Sequence, residues 1–391
     1  MRRYKSAFDI FKRELSNIFG DRSLFLISIV LPIFYAFFYG TIYMNKQEVD
    51  IPVAVVGAWQ SEVTSNFAHK IEASEKMHIA YYAASIEEAK ILLEKEKIEG
   101  IIYFPENFTR NVKLRKQTDI KLLVNNSRFL LSTSINLTLN EIIIDFTNKK
   151  REEIFRLSGN SYEQAQKLSE PINLNFIRLS NIANTYGDYL LPIALILILQ
   201  QTLLIATAES FAKENQENKL FFLIRRTNNR LQNILLGKGI IYLFIFSIYA
   251  AIYFHFIYNF FGLYFREITF TFFISIVIYL FSIISMGFFF GSFFKKKIYV
   301  LQILVFSTYP LFFIAGVSFP IADQPIFYQW ISRLFPSTPF YEIFFKIGHF
   351  GANINEVLPQ LLNLILIGIL SIIFFYTRMW YLNNRLKKRK I

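Results

Sequence analysis

The sequence contains no cysteine among its 391 residues. Neither a disulfide framework nor a thiolate metal site is available, so any exposed domain must be stabilised by a hydrophobic core of its own. Histidine is also scarce, with four residues, and no two of them lie at the spacing of metal ligands on one helical face. We therefore expect no metal site.

Sequence signatures of catalysis are missing as well. A loop that cradles nucleotide phosphates ends in Gly-Lys-Ser or Gly-Lys-Thr, whereas the only Gly-Lys pair, Gly237-Lys238, is followed by Gly239 and lacks the upstream glycine. No Gly-x-Ser-x-Gly elbow for a nucleophilic serine is present. We predict neither catalytic residues nor a cofactor site, so the chain is not expected to be an enzyme.

Charge is rare within several long apolar stretches. Hydrophobic residues make up 53% of the sequence and the mean hydropathy is +0.34, which favours lipid as the solvent for much of the chain. A helix needs about 20 apolar residues to cross a hydrocarbon core about 30 Å thick. Five stretches meet this requirement, and a sixth does so if its polar residues are tolerated. The predicted spans are 23–43, 187–208, 240–261, 269–291, 298–318 and 358–381.

The first apolar stretch follows a basic segment, as the core of a secretory signal does. It runs for about 20 residues and ends at residues 37–41, without the small residues that a cleavage site requires. We therefore expect it to remain as a membrane anchor.

Lysine and arginine are distributed unequally between the two sides of these spans. With the N-terminus inside, the inner segments hold 21 of these residues, whereas the two short outer loops hold only Arg266, Arg333 and Lys346. Cytoplasmic loops carry such an excess, which places both termini in the cytoplasm and the chain in the inner (plasma) membrane. Retention of basic residues inside also explains the net charge of +13, so no nucleic-acid partner is expected.

Apolar residues recur at spacings of three and four within residues 1–22, namely Phe8, Phe11, Leu15, Ile18 and Phe19. The pattern predicts an amphipathic helix on the inner membrane surface. A cytoplasmic extension of the first spanning helix is the alternative. Residues 382–391 form a basic cytoplasmic tail.

Residues 44–186 have shorter apolar runs and charges of both signs, which predicts an α/β domain outside the membrane. The predicted strands are 51–56, 77–82, 101–104 and 120–124. Ser85 and Glu88 predict a capping box that opens a helix over 86–97, and Gly100 is expected to end it. One or two longer helices follow between about residues 127 and 168 and return towards the membrane.

The cytoplasmic segment 209–239 has a polar start, an apolar patch at residues 220–224, and then Arg225 and Arg226. An apolar patch flanked by charge at the inner surface is typical of a site that docks a soluble partner. An interfacial helix that contacts only lipid headgroups is the alternative.

The segment 319–357 is apolar and aromatic but is interrupted by prolines, so it cannot form one spanning helix. We predict a re-entrant outer segment, because irregular backbone at membrane depth is tolerated where protein buries it or where it lines a cavity. The residues predicted to shape an outer gate are Pro320, Phe335, Pro336 and Pro339. A purely interfacial aromatic anchor is the alternative.

Two glutamines, Gln200 and Gln201, lie in the middle of the second span. Polar groups in lipid face other helices or a pathway, so we predict that they line a pathway, with interhelical hydrogen bonding as the alternative. Few charges lie within the spans, which argues against a carrier coupled to protons or ions.

These regions together resemble the ABC-2 type permeases, the membrane subunits of ATP-binding-cassette exporters, and in particular the group with a large outer domain after the first span. The resemblance covers nearly the whole chain. It is carried by FKRELSNIFGDRSLFLISIVLPIFYAFFYG before and within the first span, and by IPVAVVGAWQSE and ASIEEAKILLEKEKIEGIIYFPENFTRNV in the outer domain. The most specific match is AGVSFPI followed by LFPSTPFYEIFF, which is similar to the proline-bearing outer segment of the family.

Segment 209–239 occupies the place of the family's coupling segment, which usually reads Arg-Glu-x-x-x-Gly-Thr-x-x-x-Leu. Here Lys213-Glu214 stands at the Arg-Glu pair, Asn218-Lys219 replaces Gly-Thr, and Arg225-Arg226-Thr227 replaces an apolar-Pro turn. The resemblance implies that this segment docks on an ATPase. The residues expected to carry the coupling are Glu214, Lys219, Leu220, Phe221, Phe222, Arg225 and Arg226.

The resemblance implies a polytopic α-helical membrane protein with six transmembrane helices and an inserted α/β extracytoplasmic domain. It further implies an exporter, with drug efflux among the candidate activities. The expected partners are a cytoplasmic ABC ATPase that binds ATP and magnesium, a second permease copy or paralogue, membrane lipid, and a periplasmic adaptor protein. The alternative function is a membrane receptor or scaffold that binds a ligand or partner through its outer domain.

Overall fold

The computed structural model describes residues 6–44, 48–170, 172, 185–227, 230–266 and 268–388, without the side chains of residues 221 and 383–388. The chain divides into two compact units. One comprises Met1–Lys46 together with Arg178–Ile391, and the other comprises Gln47–Ile177. We call them the helical unit and the inserted unit.

The helical unit begins with helix α1 (Ala7–Gly20). Ser6 and Asp9 form a capping box at its N-terminus. Asp21 then caps the next turn, because its carboxylate accepts hydrogen bonds from the backbone of Ser23 and Leu24. A continuous helix follows, made of α2 (Arg22–Phe25), a wider π-helical turn (Leu26–Val30) and α3 (Leu31–Ile42). The wider turn lies directly before Pro32, whose missing N–H prevents regular helical bonding there.

The inserted unit is built on a four-stranded sheet in the order β2-β1-β3-β4. Strands β1 (Ile51–Gly57), β2 (Met77–Ala83) and β3 (Gly100–Phe104) are parallel, and β4 (Lys121–Val124) pairs antiparallel with β3. The helices of this unit are α4 (Glu62–Glu72), α5 (Ile86–Glu94), α6 (Phe108–Lys113), α7 (Phe129–Leu157) and α8 (Tyr162–Ser169).

Two local predictions in this unit differ from the structure. Gly100 does not end a helix but begins β3, and the chain leaves α5 through Glu96, which has a φ of +54°. The capping box at Ser85 is only half formed: Ser85 accepts from the Glu88 amide, whereas the Glu88 carboxylate accepts from the Ala84 amide at 2.9 Å. Helix α5 thus ends at Glu94, before the predicted end at residue 97, and the Glu88 carboxylate accepts from the amide one residue before Ser85.

The remaining helices of the helical unit follow Thr185, whose hydroxyl caps the first of them. They are α9 (Tyr186–Gln216), α10 (Leu220–Arg226), α11 (Leu231–Ala251), α12 (Tyr258–Phe260), α13 (Phe270–Gly291), α14 (Lys297–Ile314), α15 (Ile326–Ser332), α16 (Ser337–Phe350) and α17 (Ile354–Lys388). A π-helical turn (Ile252–Ile257) joins α11 to α12.

Helix α9 lies at the centre of the helical unit, buried along nearly its whole length. Helix α13 can approach it closely because a methyl group at Gly287 would lie 1.9 Å from the Thr207 hydroxyl oxygen, and one at Gly291 would lie 2.4 Å from the Ala208 carbonyl oxygen. Small residues at such crossings give helices in lipid the van der Waals contact that drives their association.

Seven helices in the described part of the chain are long and apolar enough to cross a membrane, one more than predicted. Six of them overlap the predicted spans, although α11 begins at Leu231 rather than near residue 240 and α17 begins at Ile354 rather than at 358. The additional helix is α7 of the inserted unit. Ile135, Leu139 and Phe146 of α7 pack in one hydrophobic core with residues of the sheet.

The proline-containing segment after α14 forms several short pieces. A single turn of 3₁₀-helix (Ile321–Asp323) precedes α15 and α16. Helix α16 packs its Phe340 against Tyr279 of α13, with the rings stacked at 4.0 Å. The hydroxyl of Tyr341 donates to the Ile193 carbonyl of α9 at 3.1 Å. The segment is therefore held by specific contacts to the central helices.

Candidate functional site

Four charged side chains meet inside the helical unit, at the end where the predicted cytoplasmic segments lie. They are Arg13 and Glu14 of α1, Glu214 near the end of α9 and Lys238 of α11. Ser210 and Tyr242 complete the group, which we call the buried charge cluster. Lys238 and Glu14 are entirely inaccessible to solvent.

Lys238 is the centre of this cluster. Its Nζ lies 2.8 Å from a Glu14 carboxylate oxygen, 3.5 Å from a Glu214 oxygen and 2.5 Å from the Ser210 hydroxyl oxygen. Glu214 also pairs with Arg13 at 2.7 Å. Two acids and two bases therefore balance in charge, as buried ion pairs must if their desolvation is to be offset.

Glu14 is held by further hydrogen bonds. The hydroxyl of Tyr242 donates to it at 3.1 Å, and the hydroxyl of Ser210 donates to the same carboxylate oxygen. Burial by itself raises the pKa of Glu14, but the charge of Lys238 and its hydrogen bond, together with that of Ser210, outweigh burial and leave the pKa below its ordinary value. The carboxyl group is therefore ionised at neutral pH.

The sequence of α11 explains why α1 can lie close enough for these contacts. A methyl group at Gly237 would lie 2.5 Å from both the Ala7 carbonyl oxygen and the Ile10 Cβ, so only glycine permits the observed approach. Ile234, Lys238 and Tyr242 are buried at intervals of four on one face of α11. Helix α1 presents the matching buried stripe of Ile10, Glu14 and Ile18.

A second charge cluster lies nearby and joins the start of the first spanning helix to α9 and α14. Asp21 pairs with Lys213 at 2.9 Å and with Lys297 at 3.0 Å, and Lys297 lies 3.6 Å from the buried Glu209. Burial raises the pKa of Asp21, but its hydrogen bonds to Lys213, Lys297 and the Leu24 amide lower it to about 2. This cluster joins the three basic segments that are predicted to lie on the inner side.

The predicted coupling residues differ in their exposure to solvent. Glu214 and Leu220 are buried, so they do not form a docking surface themselves. Lys219, Phe222 and Arg225 are exposed, and Phe222 has 58% of its surface accessible. Arg226 is half-buried, and the side chain of Phe221 lies outside the described residues.

Helix α10 explains this division. It buries Leu220, Leu223 and Ile224 against the helical unit and presents Phe222 and Arg225 on the other face. Lys219, at its start, pairs with Glu217 at 2.6 Å. The surface available to a partner is therefore narrower than the whole apolar patch.

The two predicted pathway residues are both buried in α9. Gln200 accepts a hydrogen bond from the Ser337 amide at 2.6 Å, which connects α9 to the start of α16, while its Nε2 has no partner within the described part of the chain. Neither polar atom of the Gln201 amide has a hydrogen-bond partner among the described residues. Gln200 thus forms an interhelical hydrogen bond, which was the alternative to lining a pathway. Gln201 has a buried amide without a hydrogen-bond partner among the described residues.

The predicted gate residues also differ from one another. Pro336 and Pro339 are buried at the start of α16, Phe335 is half-buried and Pro320 is exposed. The hydrogen bond from the Ser337 amide to Gln200 brings the start of α16 and the predicted pathway together. Pro320 directly precedes the 3₁₀ turn, so the 3₁₀ turn and α15 separate it from α16 in the sequence.

Hydropathy did not indicate that Glu14 and Lys238 are buried, although both are 0% exposed. A signal was present in each case, because a lone charge occupies the middle of an apolar stripe with spacing four, and the two charges have opposite signs. Among the described residues, no group of three or more His, Asp or Glu side chains is arranged to hold a metal ion.

Comparison with protein families identifies a matching family model. The model described as ABC-2 family transporter protein matches residues 22–377, most of the chain. The matched region begins after α1 and includes Glu214, Lys238 and the proline-containing outer segment. No curated protein and no solved structure matches the chain.

Proposed function

The chain belongs to the family of ABC-2 transporter proteins, and we propose on this basis that it is the permease subunit of an ATP-driven exporter. It moves a substrate out of the cytoplasm or inner membrane. Family membership makes it a multi-pass membrane transport component whose ATPase is another chain. ATP and magnesium therefore bind to the partner, and two permease copies, or this chain and a paralogue, enclose the pathway.

The proposed topology has six spans, with both termini in the cytoplasm and the inserted unit outside the cell membrane. Helix α7 is assigned to the soluble domain, although its length would permit a crossing. Two observations support this: its apolar face packs on the sheet, and its Asp145 pairs with Lys70 of α4 and with Lys149 at 3.3 Å. A helix with one face on a sheet and charges on another does not need lipid.

The observation that carries the coupling proposal is the buried charge cluster. It fastens α1, the end of α9 and the start of α11 to one another, directly beside α10 in the chain. A displacement of α10 by an ATPase would therefore move α9 together with α1 and α11, because the ion pairs connect these three helices. Helix α9 carries Gln200 and Gln201, so movement at α10 reaches the proposed pathway and, through Ser337, the outer segment.

This arrangement supports a two-state mechanism in which ATP binding to the partner favours one arrangement of the permeases over the other. The ion pairs hold α1, the end of α9 and the start of α11 in one arrangement, because separating any pair would leave a buried charge without a partner. The movement between the two states then occurs at helix crossings away from the buried charge cluster. An adaptor protein bound to the inserted unit would extend the export route across a second membrane.

The test uses the exposed face of α10. Phe222→Glu and Arg225→Glu, combined in one full-length variant, replace an apolar side chain and a positive charge of the proposed docking surface by two negative charges. The buried face of α10 is left unchanged. We expect co-purification of the ABC ATPase to fall by at least about tenfold, as for loss of an interface hot spot. Substrate-stimulated ATP hydrolysis should be lost with it.

The matched control is Ile268→Glu, because Ile268 is similarly exposed at 52% but lies between α12 and α13, away from α10. This variant should retain the ATPase, and both variants should elute from size-exclusion chromatography like the parent. Undiminished ATPase association in the α10 variant would contradict the docking assignment. A chain that never associates with an ATPase would instead favour the receptor or scaffold function.

A further inference from the structure

A polar pocket with a volume of about 330 Å³ lies between the proline-containing segment and the first turns of α17. It is in the half of the helical unit away from the two charge clusters. The buried Thr338 and Pro339 of α16 contribute to its wall, together with Arg333, Glu342, Gln360 and Asn363. None of the sites proposed above uses its charged groups.

The pocket contains charges of both signs that do not neutralise each other. Within the described part of the chain, neither Arg333 nor Glu342 forms an ion pair. Glu342 accepts a hydrogen bond from Gln360 Nε2 at 2.7 Å, and the guanidinium of Arg333 lies 5.9 Å from the Trp330 ring. An anion and a cation are therefore presented to the same small volume.

The amide of Gln360 adds an unsatisfied acceptor. Its Oε1 is buried and has no hydrogen-bond partner among the described residues, while its Nε2 is occupied by Glu342. A buried acceptor without a donor is costly, so a ligand with N–H groups would be stabilised there. An ammonium group held between Glu342 and Gln360 Oε1 satisfies both.

Large exposed apolar side chains lie next to the pocket-lining residues in the sequence. Trp330 and Leu334 on one side are 65% and 59% exposed, and Leu358 and Leu362 of α17 on the other are 45% and 56% exposed. Tryptophan is enriched where membrane and water meet, and exposed leucines at the start of a spanning helix are suited to acyl chains. Exposed apolar side chains suited to lipid therefore accompany the residues that line the pocket on both sides.

We propose that this pocket binds the headgroup of a zwitterionic phospholipid, with the phosphate at Arg333 and the ammonium group at Glu342 and Gln360. A headgroup with net negative charge and no ammonium would leave Glu342 facing an anion. A simple cation would be repelled by Arg333. The bordering apolar side chains favour a lipid over a soluble zwitterion. The proposal does not depend on the export function.

The test is native mass spectrometry of the full-length protein titrated with phosphatidylethanolamine or with phosphatidylglycerol, which lacks the ammonium group. The parent protein should bind phosphatidylethanolamine about tenfold more tightly, the worth of one charge-assisted hydrogen bond. Glu342→Gln should abolish this preference, because only the ammonium group contacts Glu342. Arg333→Gln should weaken binding of both lipids about tenfold, because both carry the phosphate.

The charge-matched controls are Asp323→Asn and Lys346→Gln, which alter nearby residues that do not line the pocket. Both should bind lipid like the parent protein. Equal affinity of the parent for the two lipids would overturn the proposal, as would equal effects of the pocket and control variants. Competition by soluble glycerophosphoethanolamine at the same concentration as the lipid would overturn the assignment to lipid.

Discussion

Single residues in the buried charge cluster have effects that hydropathy does not indicate. Lys238→Met replaces a buried cation by an apolar side chain of similar length and leaves Glu14 without its nearest base. We expect a loss of about 3–5 kcal/mol in the free energy of unfolding, because an uncompensated charge remains buried. Thermal unfolding of the purified protein in detergent, followed by size-exclusion chromatography, measures the change.

The double variant Glu14→Gln/Lys238→Met separates loss of pairing from loss of packing. Removing both charges should restore part of the stability, whereas two independent effects would add. Lys219→Met is the control, because Lys219 forms only an exposed pair with Glu217 and should contribute less than about 1 kcal/mol. If Lys238→Met unfolds at the same temperature as this control, the buried charge cluster does not stabilise the protein.

Asp21 gives a stability that depends on pH. Its folded-state pKa of about 2 lies below the ordinary value of 3.8, so its ion pairs stabilise the protein fully above the ordinary value and lose that contribution as pH falls towards 2. In Asp21→Asn the side-chain oxygen that caps α2 remains, but the charge is lost. The variant should be less stable than the parent by about 1 kcal/mol at pH 7, after allowance for solvent screening.

The measurement is the difference in melting temperature between Asp21→Asn and the parent at pH 7, 5, 4 and 3. The difference should be constant from pH 7 to 5 and should shrink below pH 4, because the unfolded parent takes up a proton at Asp21 near its ordinary pKa of 3.8 while the folded parent still holds the charge. A difference that grows as the pH falls has the wrong sign for this explanation.

Residue-level features of the site were only partly accessible from the sequence. The exposed Phe222 and Arg225 were included in the predicted coupling surface, but Glu214 and Leu220 were assigned to it as well although they are buried. Polar character in segment 209–239 does not reveal which charges have partners. Glu14 and Lys238 are separated by more than 200 residues in the sequence, so only the fold shows that they meet.

At the scale of elements, the approach of α1 to α11 depends on one glycine. Gly237→Ala adds a methyl group that would lie 2.5 Å from the backbone of α1, so the helices must separate. Gly239→Ala, two residues further along the same helix, meets its nearest atoms at 3.8 Å and is the matched control. Both replacements raise helix propensity equally, so any difference between them comes from the contact.

We expect Gly237→Ala to lower the melting temperature and to weaken coupling between substrate and ATP hydrolysis, because displacing α1 moves Glu14 away from Lys238. Gly239→Ala should be neutral or slightly stabilising. The measurements are thermal unfolding and substrate-stimulated hydrolysis by the complex with its ATPase. Equal behaviour of the two variants would show that α1 adapts without disturbing the cluster.

The elements differ in how well periodicity predicted them. The apolar stretches of α9 and α13 correspond closely to predicted spans because lipid-facing and core-facing residues are equally apolar there. The start of α11 was missed because Gln232, Asn233 and Lys238 make it polar, although Lys238 is paired inside the protein. Gly100 was misassigned because a glycine between a helix and a strand satisfies the rules for ending one and for beginning the other.

At the scale of the whole molecule, the number of crossings determines which surfaces meet the cytoplasm. Seven crossings would place the two ends of the chain on opposite sides of the membrane, whereas six would place both ends on the same side. Helix α7 decides between these topologies. Its Ile144 is 59% exposed, which in the six-span topology means exposure to water and in the seven-span topology means exposure to lipid.

The absence of native cysteine makes this decision measurable, because a single introduced cysteine is the only thiol in the chain. Ile144→Cys should react with a membrane-impermeant maleimide added to intact cells or spheroplasts, because water surrounds it in the six-span topology. Phe222→Cys should react only after permeabilisation, and Phe306→Cys, 77% exposed on α14, should react poorly in both states because lipid surrounds it. Failure of Ile144→Cys to react from outside, alongside reaction at Phe222→Cys after permeabilisation, would contradict the six-span topology and require α7 to be reassigned.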